Sequence, residues 1–141
     1  MSQRLLVPLD GSPQSREALQ YAIETFSDAE IVAVHVLNPT VETGTSGFEG
    51  VIPDVGSAVN EQEEFAEELF AEAREVAGDR LVDTDLLTGR AARSIVEYAT
   101  EHPVDGIVMG SHGRDGAARL LLGSVSETVV RRSPVPVTVV R

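Results

Sequence analysis

The chain has 141 residues, 42% hydrophobic and 24% charged, and is therefore long enough to bury the core of one domain. Its 23 acidic and 11 basic residues give a net charge of −12, which argues against sequence-independent binding to nucleic acid or to anionic membranes. The absence of cysteine excludes disulfides and thiol catalysis, and no apolar run reaches the ~18 residues of a membrane span, so we expect a soluble cytoplasmic protein.

The N-terminal part predicts a strand, a helix and a second strand. The apolar run from Arg4 to Leu9 ends at Asp10-Gly11-Ser12-Pro13, which indicates a buried strand followed by a turn. Ser12 is a suitable N-cap with Pro13 in the first helical position, and apolar residues then recur at helical spacing. Ile31 to Leu37 is rich in β-branched residues and predicts the second strand. Together these elements indicate a βαβ unit with a right-handed crossover.

The middle of the chain predicts a long loop, a helix and an outer strand. Residues 38–57 show no hydrophobic period and contain four glycines and two prolines, as expected of a loop. From Ala58 to Ala77, apolar residues share one helical face and glutamates occupy the rest. Arg80 to Leu87 alternates imperfectly, which is typical of a half-exposed strand.

The C-terminal part predicts two more helices and two more strands. A helix from Ala91 ends at His102-Pro103, and Asp105 to Met109 predicts an apolar strand. A polar, Gly-punctuated loop leads to a helix beginning at Ser124, where Ser124-Val125-Ser126-Glu127 has the spacing of a capping box. The last strand is Val135 to Val140, and its proline favours an edge position.

Five strands alternating with four helices predict a three-layer α/β/α domain with a parallel sheet, and we expect residues 1–141 to form this single domain. Periodicity does not give the order of the strands.

One motif stands out in this pattern. Gly110 and Gly113 are separated by two residues, and nine residues separate Gly113 from Gly123-Ser124. This Gly-x2-Gly-x9-Gly-Ser spacing, between a strand and a helix, resembles the nucleotide-binding motif of the ATP-binding branch of the universal stress protein (UspA-like) family. The opening LLVPLDGSPQSREAL, the strand IVAVHVLNP and the closing PVPVTVV resemble family landmarks in family order, so the resemblance covers essentially the whole chain.

The resemblance implies a Rossmann-like fold of the adenine nucleotide alpha hydrolase type, with five parallel strands in the order 3-2-1-4-5. The first and fourth strands would then lie side by side, and their carboxyl ends would form the crevice in which open α/β sheets bind ligands. It also implies ATP, ADP or AMP as the ligand. The matching positions are Pro8, Asp10 and Val36 on the adenosine side, with Val36 acting through its backbone, and Gly110, Ser111, His112, Gly113, Arg114, Gly116, Gly123, Ser124 and Val125 around the phosphates.

The residues themselves argue only for an anion. A loop between a strand and a helix presents backbone N–H groups and the positive end of the helix dipole, and Arg114 and the Ser124 hydroxyl are further donors. Asp10 is suited to ribose hydroxyls or to a nucleotide-bound Mg²⁺, or it only caps the turn before the first helix. Ser124 is equally suited to a helix cap. A zinc site at His112 is not indicated, because the other histidines are not at metal-ligand spacing with it. We also do not interpret His112 as a general base, since that role requires an orienting partner, which the sequence does not identify.

These features favour an adenine-nucleotide sensor or regulator of the stress response with slow or no hydrolysis, because no arginine finger, water-positioning glutamine or dedicated base is identifiable. The alternatives are a Mg²⁺-dependent ATP hydrolase or nucleotidyl-transfer enzyme, and a nucleotide-free interaction module. A flavodoxin-like FMN carrier is disfavoured, because aromatic residues make up only 4% of the chain and tryptophan is absent.

The ends of the sequence and its charge suggest two further properties. The apolar strand Val135 to Val140 is expected to pair with a second copy, as members of the resembled family commonly do. All 11 basic residues are arginine, and an acidic, lysine-free surface suggests a salt-rich cytoplasm in which self-repulsion is screened. The alternative is GC-rich codon bias in an ordinary acidic protein, and the dependence of thermal stability on KCl separates the two.

Overall fold

The computed structural model describes residues 3–37, 55–111 and 122–141, with the side chains of residues 55–60 also left undescribed. In these segments five strands and four helices alternate along the chain. The strands are β1 (Arg4–Pro8), β2 (Glu30–Leu37), β3 (Leu81–Thr88), β4 (Gly106–Gly110) and β5 (Val137–Val140). The helices are α1 (Pro13–Thr25), α2 (Val55–Ala77), α3 (Ala91–Glu101) and α4 (Ser124–Arg132), and a 3₁₀ turn covers Gly78–Arg80.

The five strands form one sheet in the order β3-β2-β1-β4-β5, with every neighbouring pair parallel. This is the order that the family resemblance implies. β1 lies at the centre, where Leu6 pairs with Val32 of β2 and with Ile107 of β4. β5 lies at an edge, as its proline-containing sequence predicts.

The sheet is covered on both faces, which makes the domain three-layered. Leu5 and Val7 of β1 belong to an apolar cluster with α1 and α2, whereas Leu6 belongs to a second cluster with α3 and α4. All three side chains are buried. Because successive side chains of a strand point to opposite faces, the uninterrupted apolar run of β1 is explained by burial on both sides. The predicted α/β/α architecture is therefore confirmed.

Two predicted boundaries are wrong by two or more residues. α2 begins at Val55, so residues 55–57 belong to the helix and not to the predicted loop, whose other residues, 38–54, lie outside the described segments. Hydrophobic periodicity identifies an element but leaves its terminal residues uncertain. β5 begins at Val137, two residues later than predicted, although Pro136 already accepts a hydrogen bond from the Ile107 N–H at 2.9 Å.

Arg80 joins two of the layers through backbone contacts. It ends the 3₁₀ turn, whereas the sequence predicts it as the start of β3. Its guanidinium donates to the carbonyl oxygens of Ile23 at 2.9 Å, of Ala29 at 3.0 Å and of Phe26. These acceptors lie at the end of α1 and in the segment leading to β2, so one side chain satisfies carbonyl groups that a helix end leaves open. Among the described residues, no helix is long and apolar enough to cross a membrane.

Candidate functional site

The two segments that the sequence singles out leave the sheet side by side. Leu6 and Ile107 are paired neighbours in β1 and β4. Asp10 follows Leu6 by four residues and Ser111 follows Ile107 by four residues. Since both strands run in the same direction, Asp10 and Ser111 lie beyond the same, carboxyl edge of the sheet. Open α/β sheets bind ligands at this edge.

Asp10 is held in a tight turn. Its Oδ1 accepts a hydrogen bond from the Ser12 N–H at 2.8 Å, and Ser12 Oγ in turn accepts from the Ser15 N–H at 3.1 Å as the N-cap of α1. The Ser12 cap is as the sequence predicts. Within the described segments, Asp10 Oδ2 has no hydrogen-bond partner. One carboxylate oxygen therefore maintains the turn, and the second is not used by the described residues.

Gly11 makes this turn possible. Its φ is +84°, a conformation that L side chains rarely adopt, and a Cβ at this position would lie 2.7 Å from Cζ of Phe65 in α2. The turn that carries Asp10 therefore packs directly against the Phe65 ring.

Gly110 ends β4 and is required for packing. A Cβ at this position would lie 2.8 Å from both the carbonyl carbon and Cβ of Gln14, in the first turn of α1. The sequence interprets this glycine as part of an anion-binding loop, whereas the structure gives it a steric reason as well. A glycine at the end of a strand is a known sign of close backbone approach, but the partner, 96 residues earlier in the chain, is not apparent from local pattern.

Ser111 and Gly123, on either side of residues 112–122, are bonded to each other. The Ser111 carbonyl oxygen accepts from the Gly123 N–H at 2.5 Å and from the Ser126 Oγ at 2.7 Å, and the Ser111 N–H donates to the Val140 carbonyl oxygen at 2.8 Å. Ser126 is 2% exposed. Sequence reasoning missed its role. The available signal was a small hydroxyl residue on the inner face of the first helical turn.

α4 begins at Ser124, as the sequence predicts, but its cap lies one residue before the predicted capping box. Gly123 is the N-cap and Ser124 is the first helical residue, so the predicted capping box at Ser124 and Glu127 is wrong. The Glu127 N–H donates to the Gly123 carbonyl oxygen at 2.9 Å, while the Glu127 carboxylate pairs with Arg131 at 2.8 Å. A glycine in the cap position has no side chain with which to satisfy the first amides of the helix.

The amides at this helix start fall into two groups. The Gly123 N–H is already bonded to Ser111 and is not available to a ligand. The N–H groups of Ser124 and Val125 make no hydrogen bond with any residue that the structure describes, and both side chains are exposed. These two amides, at the positive end of the helix dipole, are donors suited to a phosphate.

Val36 presents its backbone to the same edge from the other side. The Leu9 N–H donates to the Val34 carbonyl oxygen at 2.8 Å, while the Leu37 carbonyl oxygen accepts from Gly89 on the opposite side of β2. Because backbone groups alternate along a strand, the N–H and C=O of Val36 point in the direction of β1. β1 ends at Pro8, opposite Val34, so the Val36 groups face the region of the Asp10 turn.

Three binding elements therefore follow one another across adjacent strands. Val36 is on β2, Asp10 follows β1, and Ser111 with the start of α4 follows β4. At the usual strand separation of about 4.8 Å, β2 and β4 are about 10 Å apart. The remaining predicted residues, His112, Gly113, Arg114 and Gly116, lie outside the described segments.

The charge of the chain is divided unevenly along the sequence. Residues 106–141 contain five arginines and two acidic residues, a net charge of +3, whereas residues 1–105 contain six arginines and 21 acidic residues, a net charge of −15. The segment from β4 to the C-terminus is thus the basic part of an acidic chain.

A second concavity has a different character. A groove of about 130 Å³ lies between α1 and α2 and is lined mainly by apolar side chains, among them Leu9, Leu19 and Leu69. The ion pair between Arg16 and Glu72, 3.3 Å long, is part of its wall. The Arg16 guanidinium of this groove is thus already paired with a carboxylate, and we assign the candidate site to the strand ends.

The chain is similar to known proteins over its whole length. The family model described as Universal stress protein family matches residues 1–141. The chain belongs to this family. Universal stress protein MJ0531 of Methanocaldococcus jannaschii is 34% identical over 141 residues, covering 99% of this chain and 82% of the relative.

Solved structures of the universal stress protein family share the fold. The structure of MJ0577, also from Methanocaldococcus jannaschii, has a TM-score of 0.82 at 29% identity and covers 99% of this chain and 96% of its own. A universal stress protein solved in complex with cAMP has a TM-score of 0.68 at 25% identity, covering 99% of this chain and 97% of its own.

Proposed function

We propose that this universal stress protein binds ATP, or a related adenine nucleotide, across the carboxyl ends of β2, β1 and β4. The observation that carries the proposal is the order of the three binding elements. Backbone groups suited to a base edge, a carboxylate oxygen suited to ribose hydroxyls and helix amides suited to phosphate follow one another over about 10 Å, in the order base, sugar, phosphate. The relative solved with cAMP supports an adenine ligand.

Each group then has one role. The Val36 backbone pairs with the adenine edge beside Pro8, and Asp10 Oδ2 accepts from the ribose. The Ser124 and Val125 amides hold the phosphates, together with residues of the 110–116 loop. The described residues contain no group of three or more His, Cys, Asp or Glu side chains placed to hold a metal ion. We propose that a Mg²⁺ at this site is bound to the nucleotide phosphates, with Asp10 as a candidate protein ligand.

The test is calorimetry of the purified protein with ATP, ADP, AMP and GTP. We expect one ATP per chain and an affinity for GTP at least about tenfold weaker, because a site that hydrogen-bonds one base edge leaves groups unpaired with another. Mass spectrometry of the ligand released from freshly purified protein identifies the nucleotide bound in the cell. Binding of ATP and GTP with equal affinity would contradict the adenine assignment, and absence of heat with ATP would contradict the proposal.

We further propose that occupancy, and not turnover, is the output, as a sensor or regulator of the stress response in the cytoplasm. Residues 1–141 would act as one binding domain. Quenched single-turnover assays with stoichiometric protein should return intact ATP over the lifetime of the complex. Cleavage faster than dissociation would instead favour an ATP hydrolase. The acidic composition fits a salt-rich cytoplasm. The test is the dependence of the thermal stability of the purified protein on the concentration of KCl.

We also propose a homodimer through β5. The carbonyl oxygens of Pro136 and Val140 accept bonds from the β4 side, so the alternate residues Val137 and Val139 direct their backbone groups away from the sheet. An edge of this kind pairs with a second copy of itself about a two-fold axis.

The variant Val139→Pro tests the dimer, because it removes an outward N–H while sparing the bonds to β4. We expect light scattering to give twice the 15.1 kDa chain mass for the unmodified protein and the single chain mass for the variant. Circular dichroism checks that the variant remains folded. A Val139→Thr variant, which keeps the N–H, is the matched control and should remain dimeric. A dimeric, folded Val139→Pro protein would exclude this interface.

A further inference from the structure

His35 lies next to the candidate site in the sequence but does not belong to the proposed ligand-contacting set. It is on β2, immediately before Val36, and is 9% exposed. Its Nδ1 is 2.7 Å from the carbonyl oxygen of Leu9. A carbonyl oxygen can only accept, so Nδ1 must carry a proton, and the neutral ring is the Nδ1–H tautomer.

The acceptor of this bond is the carbonyl of the peptide that leads into Asp10. The Leu9 C=O and the Asp10 N–H belong to the same planar peptide group. A hydrogen bond to the Leu9 carbonyl oxygen therefore fixes the orientation of the peptide plane that precedes Asp10. The Asp10 N–H points to Ser15 Oγ at 3.4 Å, and the Leu9 N–H donates to the Val34 carbonyl oxygen at 2.8 Å. Of these contacts, the one from His35 is the shortest.

The imidazole is itself oriented by an aromatic ring. Phe65 packs edge-to-face against His35, with ring centroids 5.6 Å apart and planes at 70°. The same Phe65 ring lies against Gly11, one residue beyond Asp10. One packed unit next to the carboxyl ends of β1 and β2 therefore contains His35, Phe65 and the Asp10 turn.

We propose that His35 is a positioning residue for ribose recognition. By donating from Nδ1 to the Leu9 carbonyl oxygen, it fixes the Leu9–Asp10 peptide so that Asp10 Oδ2 faces the sugar hydroxyls. The inference rests on the proposed function, in which Asp10 binds the ribose. It assigns His35 no contact with the ligand.

The test compares ATP with 2′,3′-dideoxy-ATP, which lacks the hydroxyls that Asp10 would bind. The unmodified protein should prefer ATP by about ten- to a hundredfold, the usual range for hydrogen bonds to a charged group. His35→Leu removes the donor, and its affinity for dideoxy-ATP should change by less than about threefold. Its affinity for ATP should fall until the affinities for the two ligands differ by no more than about threefold. In His35→Asn, whose amide N–H can occupy the place of Nδ1, the preference should return.

Several outcomes overturn the inference. An equal loss for both ligands in His35→Leu would make the role of His35 merely structural, and an unchanged preference would leave it without a role. A His35→Asn protein that behaves like His35→Leu would show that the donor is not what matters.

A second measurement does not depend on the variants folding. Long-range ¹H–¹⁵N spectra of the unmodified, labelled protein should show the neutral His35 ring protonated on Nδ1, and protonation on Nε2 alone would overturn the inference. Failure of the proposed function is distinguishable, because an unmodified protein that does not bind ATP overturns the ribose role while these spectra still establish or exclude the His35 to Leu9 bond.

Discussion

Replacing Gly110 with valine is expected to lower the free energy of unfolding by about 3 kcal/mol or more, at the upper end of the cost of overpacking. The new Cβ would lie 2.8 Å from the carbonyl carbon of Gln14 and 2.9 Å from its carbonyl oxygen. These are backbone atoms of α1, and the helix cannot move away freely because Ala18 and Ala22 are packed with 0% exposure. Gly110→Ala has the same first contact and should cost about 1–3 kcal/mol.

Urea unfolding followed by circular dichroism measures both values. Gly78→Ala is the control, because a Cβ there meets nothing within 4 Å and only its φ of +57° opposes the substitution. We expect a loss of about 1 kcal/mol from this conformational term alone. If Gly110→Ala were as stable as the unmodified protein, the close approach of α1 to the end of β4 would not be a constraint on the fold.

Replacing Ser124 with proline is expected to weaken ATP binding by about ten- to a hundredfold without unfolding the protein, since one charge-assisted hydrogen bond is lost. Proline is well tolerated in the first helical position, where the N–H has no partner within the helix. The preceding residue, Gly123, has φ −75° and ψ 168°, the extended conformation that a residue before proline prefers. The exposed Ser124 side chain leaves no cavity when it is replaced.

Ser124→Ala is the matched variant, because it removes the hydroxyl and keeps the amide. Calorimetry with ATP and with adenosine separates the effects: the proline variant should lose affinity for ATP and keep its affinity for adenosine within about threefold, since only the phosphate is held by this amide. If Ser124→Ala weakens ATP binding as much as Ser124→Pro, the hydroxyl is the donor. Full ATP affinity in Ser124→Pro would remove the start of α4 from the site.

The layers of the fold could be predicted from the sequence because the signals are local. The apolar run of β1, the Ser12 cap and the apolar face of α2 each depend on residues within one element, and the structure confirms these elements. The strand order needed the family resemblance, because the pairing of Leu6 with Ile107 joins residues 101 positions apart and leaves no mark in either strand.

The candidate site could be predicted in outline for the same reason. Asp10 and Ser124 follow recognisable strand and turn patterns. The contacts that support the site are not recognisable in this way, because they join separate elements. Gln14 lies against Gly110, Ser126 bonds to Ser111, and His35 bonds to Leu9. The prediction of Ser124 as the N-cap is wrong. Serine and glycine are both accepted at this position, so the Gly123-Ser124 pair does not by itself show which residue is the N-cap.

The bond between Ser111 and Gly123 has a consequence for how such a protein can change. The bond uses main-chain atoms, and the buried Ser126 hydroxyl supports it by donating to the same Ser111 carbonyl oxygen. A substitution that removes the Ser126 hydroxyl is therefore expected to weaken this attachment without removing the main-chain bond that joins the end of β4 to the start of α4.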